Sequence, residues 1–179
     1  MASPPQAVLL ITGIQAAGKS TVAQLIAEQL PRSVHLRGDL FRRMVARGRA
    51  DMSPPPSPEA LRQLRLRHQL TAEVADRYFE AGFTVVAQDI VLGPHLPELV
   101  QRVRSRPLLV VVLAPQPDAV TAREASRVKK AYRGYTVADL DTALRQDTPR
   151  IGLWLDTSRQ TPEQTAAEIV RRAWTEAAI

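Results

Sequence analysis

Cysteine is absent from this chain of 179 residues, lysine occurs only three times, and aromatic residues make up 4%. Without thiols there is no disulfide framework and no thiolate metal site. His95 follows a Gly-Pro turn with no second histidine at ligand spacing, which argues against a transition-metal centre. So few aromatics leave no array on which the bases of a nucleic-acid strand would stack. Long hydrophobic runs are missing too. The N-terminal apolar stretch, Ala7-Val8-Leu9-Leu10-Ile11, is neither a signal peptide nor a membrane span, so a cytoplasmic protein with no membrane partner is expected. There is no internal repeat and no low-complexity tail. An apolar content of 45% excludes disorder and suits a single domain over residues 1–179.

Because lysine is scarce, 21 of the 24 basic residues are arginines, scattered from Arg32 to Arg172. The net charge of +6 and pI near 10.4 admit a nucleic-acid partner, an anionic substrate and product, or a composition set by the whole genome. The dispersion weakens the first of these.

What the chain does contain begins at Gly13. The run Gly13-Ile14-Gln15-Ala16-Ala17-Gly18-Lys19-Ser20-Thr21 fits the phosphate-loop pattern G-x-x-x-x-G-K-[ST] and follows the apolar stretch. Gly13 and Gly18 let the backbone curl, so that successive amides, those of Ala16 and Ala17 among them, face phosphate oxygens. Lys19 brings a positive charge to the β- and γ-phosphates, and Ser20 offers a hydroxyl to Mg²⁺. The helical pattern from Thr21 to Leu30 directs its positive N-terminal end at the same phosphates. ATP and Mg²⁺ are the expected cofactors.

Short β-rich runs alternate with longer helical ones. Strands are predicted over Ala7–Thr12, Ser33–Arg37, Thr84–Gln88, Leu108–Leu113 and Ile151–Leu155, with helices in the gaps. That order predicts an α/β fold with a parallel sheet of about five strands, helices on both faces, and ligands beyond the carboxyl ends of the strands. The cluster Ser53-Pro54-Pro55-Pro56-Ser57-Pro58 is a loop between a short helix near Leu40 to Arg47 and a longer one near Glu59 to Ala81.

Three further segments carry candidate chemistry. Asp39 stands just past a strand and before a helix, at the sheet edge shared with the phosphate loop. It is either the base that accepts the proton of an attacking hydroxyl or an N-cap of the following helix. Arg42, one turn later, holds an acidic substrate group or Asp39 itself, or is a surface residue. Asp89 closes a hydrophobic strand, where a phosphate-loop protein places the carboxylate behind its Mg²⁺ and near its substrate; otherwise it is a turn residue, and Gln88 is an alternative polar contact. Arg123 and Arg127 are four apart and share a helix face within a basic segment, about 123–135, that reads as a lid closing over the nucleotide or as a solvated helix.

The order of these segments, ending in Leu155-Asp156-Thr157-Ser158, resembles chloramphenicol phosphotransferase and its relatives over most of the chain. The resemblance implies a small P-loop kinase that uses ATP with Mg²⁺. It implies that Asp39 activates the acceptor hydroxyl, that Lys19 and Ser20 hold phosphates and metal, and that Arg123 and Arg127 belong to the lid. The loop from Asp156 to Thr161, Thr157 included, is similar to the family's adenine-contacting edge. No chloramphenicol signature accompanies Arg62, Arg65, Arg67 and His68 on the acceptor side, so the acceptor is a small hydroxylated antibiotic or metabolite of open identity. The segment Leu36-Arg37-Gly38-Asp39-Leu40-Phe41-Arg42 is also similar to the acceptor side of polynucleotide kinases, which makes a nucleic-acid or nucleoside 5′-hydroxyl the alternative acceptor. A nucleotide-gated switch or ATPase without a small acceptor is the third reading.

Overall fold

The computed structural model describes residues 4–125 and 134–179. Its strands are β1 (Val8–Gly13), β2 (Ser33–Arg37), β3 (Thr84–Gln88), β4 (Leu108–Leu113) and β5 (Leu153–Leu155). The helices are α1 (Lys19–Gln29), α2 (Asp39–Met44), α3 (Pro58–Glu80), α4 (His95–Arg102), α5 (Pro117–Ala125), α6 (Val137–Thr142) and α7 (Pro162–Glu176). All strand pairs are parallel and the order is β2-β3-β1-β4-β5. Successive parallel strands need crossovers, and the long segments between the hydrophobic runs supply them.

Burial explains the composition of the strands. Every residue of β1, β3 and β4 is buried, because these strands are covered on both faces, and their sequences are accordingly near-continuous runs of Val, Leu and Ile. The edge strand β2 has only Leu36 fully buried. On one face α1 packs against α7 and the strands β1, β2 and β3; α3 packs on β1, β2 and β3 and also touches α4. No helix of the described residues is long and apolar enough to cross a membrane.

The strand expected over Ile151–Leu155 is shorter, Leu153–Leu155. Gly152 takes φ +71°, and a Cβ there would run into the Val110 backbone, so the chain turns into the sheet only after it. The vacant half of the β4 edge is taken by the C-terminus, where the Val110 amide donates to Ala177 O and the Ile179 amide to Leu108 O. Helix α3 begins at Pro58, with the Ser57 hydroxyl accepting from the Ala60 amide at 3.1 Å. Sequence reading did not delineate α6, although Thr136 and Asp139 form the capping box that starts it.

Helix α3 is pinned at its far end by Asp76, whose side chain is 3% exposed. Its carboxylate accepts from the amides of Arg104 and Ser105, from Ser105 Oγ at 2.7 Å, and from Arg104 Nε at 3.2 Å. Burial pushes this carboxyl up, but the Ser105 and Arg104 hydrogen bonds together outweigh it and hold it below the ordinary carboxylate range. Asp76→Ala is expected to cost about 3 kcal/mol, read as a shift in denaturant midpoint, because buried donors lose their partner. Since the folded pKa is depressed, this contribution is fully present at neutral pH and lost as pH falls through the folded value. An unchanged midpoint would show that the anchor is dispensable.

Candidate nucleotide and acceptor site

The loop after β1 curls through three left-handed residues: Gly13 at φ +144°, Ala16 at +61° and Gly18 at +97°. Gly13 has no alternative, because a Cβ there would meet the Leu113 carbonyl of β4. Lys19, the first residue of α1, is 7% exposed, and its Nζ donates to the Ile14 carbonyl at 2.7 Å, folded back across the loop. Ser20 and Thr21 are exposed in the first turn of α1. This is a cradle of backbone amides at a helix N-terminus with one buried ammonium beside it, a geometry suited to phosphate.

The carboxylates come from the adjoining strand ends. The Gly38 amide donates to Gln88 O and the Asp89 amide to Ile11 O, so the sheet's ladder continues past β2 and β3 into the loops. Thr12, which is fully buried, ties that edge together: its hydroxyl donates to Val91 O and accepts from the Val91 amide. Gly38 packs so closely that a Cβ would run into the Asp89 carboxylate. Asp89 is 3% exposed; Oδ1 accepts from the Ile90 amide at 2.8 Å, and Oδ2 lies 2.9 Å from Arg67 Nε of α3. Burial pushes the Asp89 carboxyl up, while Arg67, the Ile90 amide and Lys19 pull against it and Asp39 pushes with burial. Asp39 is thus next in sequence to a residue packed on the Asp89 carboxylate, at the end of the sheet where Lys19 begins α1.

Asp39 is not the N-cap of α2. Gly38 takes that position without a side-chain cap, and Asp39 is the first helical residue. Its Oδ2 pairs with Arg43 at 2.5 Å, and its Oδ1 is buried without a hydrogen-bond partner among the described residues. Arg42 turns away to Asp51 at 2.8 Å. The partner of Asp39 is thus four residues on rather than three; both positions share its helix face, and Asp51 takes Arg42. Sequence reading also missed Arg67 as the neighbour of Asp89 and Gly38 as the residue that admits the Asp89 carboxylate. Only the bare Gly-Asp dipeptide hinted at the second. His95, after its Gly-Pro turn, starts α4, and its ring meets that of His68 at 5.7 Å. Burial, then Arg67 and His95, lower the pKa of His68 to about 3, so it stays neutral and does no acid–base work at physiological pH.

A cavity of about 250 Å³ opens beside the loop, lined by Ala17, Gly18, Val22, Arg123, Thr157 and Gln160 among others. Arg123 spans it, with Nη2 donating to Thr157 O at 2.6 Å and Nη1 to Ala17 O at 3.4 Å. The Thr157 hydroxyl is buried without a hydrogen-bond partner among the described residues. The structure thus brings Ala17, Gly18, Arg123 and Thr157 around one cavity, with Lys19, Ser20 and Thr21 in the adjoining first turn of α1 and Asp39 and Asp89 at the neighbouring strand ends. Arg127 and the segment 126–133 lie outside the described residues. No group of three or more His, Cys, Asp or Glu that could hold a metal ion occurs among the described residues.

This fold recurs in solved structures, kinases among them. A sugar kinase from Janibacter sp., unliganded, superposes with a TM-score of 0.69 at 19% identity, covering 94% of each chain. The APS kinase of Mycobacterium tuberculosis in complex with AMPPNP and APS also gives 0.69 at 19% identity, over 94% of this chain and 98% of that one. The tunicamycin resistance protein of Deinococcus radiodurans gives 0.68 at 18%, over 97% and 99%. At these identities the likeness is one of fold. A UPF0200 protein of Aeropyrum pernix is 30% identical over 118 residues, 65% of this chain and 63% of that protein, so the match spans less than two thirds of the relative. A family model described as an AAA domain matches residues 8–149, from the start of β1 almost to β5, and the chain belongs to that family.

Proposed function

We propose that this chain is an ATP-dependent O-phosphotransferase of the chloramphenicol phosphotransferase-like type, a single domain acting in the cytoplasm on the hydroxyl of a small molecule. The observation that carries this reading is the amide cradle with Lys19 folded across it, beside strand ends where Gly38, the residue before Asp39, packs on the Asp89 carboxylate. A bond forms between the acceptor oxygen and the γ-phosphorus as the bond to the β–γ bridging oxygen breaks. The hydroxyl proton passes to Asp39, and ADP leaves. Asp39 has the free geometry for this, since one carboxylate oxygen is held by Arg43 and the other has no hydrogen bond among the described residues.

Lys19 and the loop amides bind and orient the phosphates, and Lys19 stabilises the charge that develops on transfer. Mg²⁺, when bound, neutralises phosphate charge, and Ser20 and Asp89 would hold it. Arg123 closes the base pocket between the loop and Thr157, and Arg127, by the same reading, reaches the transferring group from the lid. Arg123→Ala is expected to weaken ATP binding about tenfold in an equilibrium titration, as hydrogen bonds to a charged donor that hold two pocket walls together are lost. Undiminished affinity would remove Arg123 from the donor site.

The test of function is incubation with Mg-ATP and a panel of hydroxylated antibiotics, sugars, nucleosides and 5′-hydroxyl oligonucleotides, with mass detection of an added phosphoryl group. Transfer to a small molecule is expected. Modification of the oligonucleotide alone would move the acceptor to a nucleic-acid end. Hydrolysis of ATP without any acceptor product would support a nucleotide-gated switch instead.

A further inference from the structure

Strand β5 is only three residues long, and its last tie to the β4 side is the Ala114 amide, which donates to Leu155 O at 2.8 Å. Past that point the two stretches of chain part, one into α5 and the other into the loop that carries Thr157 toward α7. Ladder bonds no longer fix their separation, so a fixed geometry between them has to come from side chains.

Asp156 supplies one. Its Oδ1 accepts from the Ser158 amide at 2.9 Å and from the Ser158 hydroxyl, while Oδ2 accepts from Gln116 Nε2 at 3.3 Å. The Ser158 oxygen in turn accepts from the Gln116 amide at 2.7 Å. The Ser158 hydroxyl and amide hold the Asp156 carboxyl below the usual carboxylate range, so it is an ionised acceptor at neutral pH. An aspartate that bonds only two residues ahead is an ordinary Asx turn. This one also reaches Gln116, forty positions away and directly before α5. The Gln116 side is held independently, because Arg145 Nη2 donates to the carbonyls of Ala114 and Pro115 at 3.2 and 2.9 Å.

A second tie lies farther along α5, where Arg123 donates to Thr157 O. Helix α5 and the 156–158 loop are therefore joined at two places, and Thr157, 2% exposed, stands in the wall of the cavity they border. Its carbonyl accepts from Arg123 and, at 3.3 Å, from the Gln160 amide, but its hydroxyl has no hydrogen-bond partner among the described residues. Gln160 on the same wall is engaged at both ends of its side chain, its Nε2 donating to Glu168 and its Oε1 accepting from the Thr165 hydroxyl at 2.9 Å. A wall fixed in this way presents one buried hydroxyl, which costs free energy until a ligand answers it.

Resting on the reading of this cavity as the base pocket of the donor, we infer that Asp156 is a positioning residue for the nucleotide: through Ser158 and Gln116 it holds the Thr157 wall at a fixed separation from α5, so that the base enters a preformed slot between Thr157 and Arg123. The bonds of Asp156 are open to solvent and add little to global stability; what they set is the order of the loop before the nucleotide arrives.

The experiment measures, by calorimetry on the full chain, the binding of Mg-ATP and of Mg-bound ribose 5-triphosphate, which carries the sugar and phosphates without the base. Asp156→Ala is expected to weaken Mg-ATP about tenfold, and to raise KM for ATP by a similar factor, while the base-free triphosphate stays within about twofold of the parent. Asp156→Asn keeps an acceptor for Ser158 and, with the Gln116 amide turned over, a bond to Gln116, so it is expected to restore most of the affinity. Ser158→Ala and Gln116→Ala each remove part of the clasp and are expected to cost about threefold, so the test stands even if Asp156→Ala does not fold. In a double-mutant cycle Asp156→Ala should cost less on an Arg123→Ala background than in the parent, because both act on the same slot. Thermal midpoints near that of the parent establish that the effect is local. Equal weakening of both ligands, or full ATP affinity in Asp156→Ala, overturns the positioning role and leaves the donor-site reading standing. A parent chain that binds ATP no tighter than the base-free triphosphate overturns the base pocket, and the role of Asp156 with it.

Discussion

Lys19→Ala is expected to give a folded protein whose phosphoryl transfer falls by about a thousandfold, the scale on which one preorganised stabilising charge in a water-poor site is lost. The ammonium is 7% exposed and spans the loop to the Ile14 carbonyl, so it is fixed in place before any nucleotide arrives. Burial raises the Asp89 carboxyl pKa, and the Lys19 charge acts in the opposite direction. Removing it therefore withdraws a fixed cation from the site of the phosphates. Single-turnover transfer with a circular dichroism control is the measurement. Full activity in a folded Lys19→Ala protein would sink the nucleotide-site reading.

Asp39→Asn is expected to lose about a hundredfold or more in turnover with little change in stability, since an amide keeps the shape but accepts no proton. The structure sharpens this test, because the capping position belongs to Gly38 and no cap hydrogen bond depends on Asp39. What Asp39 contributes to the fold is a half-exposed pairing with Arg43 and a carboxylate in the first turn of α2, together about 1 kcal/mol. Asp39→Ala should accordingly unfold near the parent midpoint while being as inactive as Asp39→Asn. Activity that survives in the Asn variant, or stability that collapses in the Ala variant, would return Asp39 to a structural role.

Local chemistry fixed much of this protein before any tertiary contact is considered. The runs Val8 to Thr12, Thr84 to Gln88 and Leu108 to Leu113 are apolar without alternation because both faces of those strands are covered, and a strand of that kind is legible from its own residues. The loop from Gly13 to Thr21 is equally local: its left-handed turns at Gly13 and Gly18 require glycine at fixed spacing, whatever packs around it. The placement of Asp39 and Asp89 at strand ends followed from the same pattern.

What no local pattern contains is which strands lie side by side and which side chains meet across them. The order β2-β3-β1-β4-β5 is set by packing, and it alone puts Gly38 against Asp89, fifty-one positions apart in the chain. Arg67 reaches Asp89 because α3 packs on the sheet, and Arg123 of α5 joins Ala17 to Thr157 across a gap that no sequence spacing contains. Asp39 pairs with Arg43 rather than Arg42 because Arg42 is taken by Asp51 of the following loop, a partner that only the fold supplies. Residue type and spacing determined which chemistry the chain can carry, because turns, periodicity and charge are properties of neighbours in sequence. The tertiary structure decided which of those groups share a cleft, because burial and ion pairing depend on distances that the chain sets only when the sheet closes.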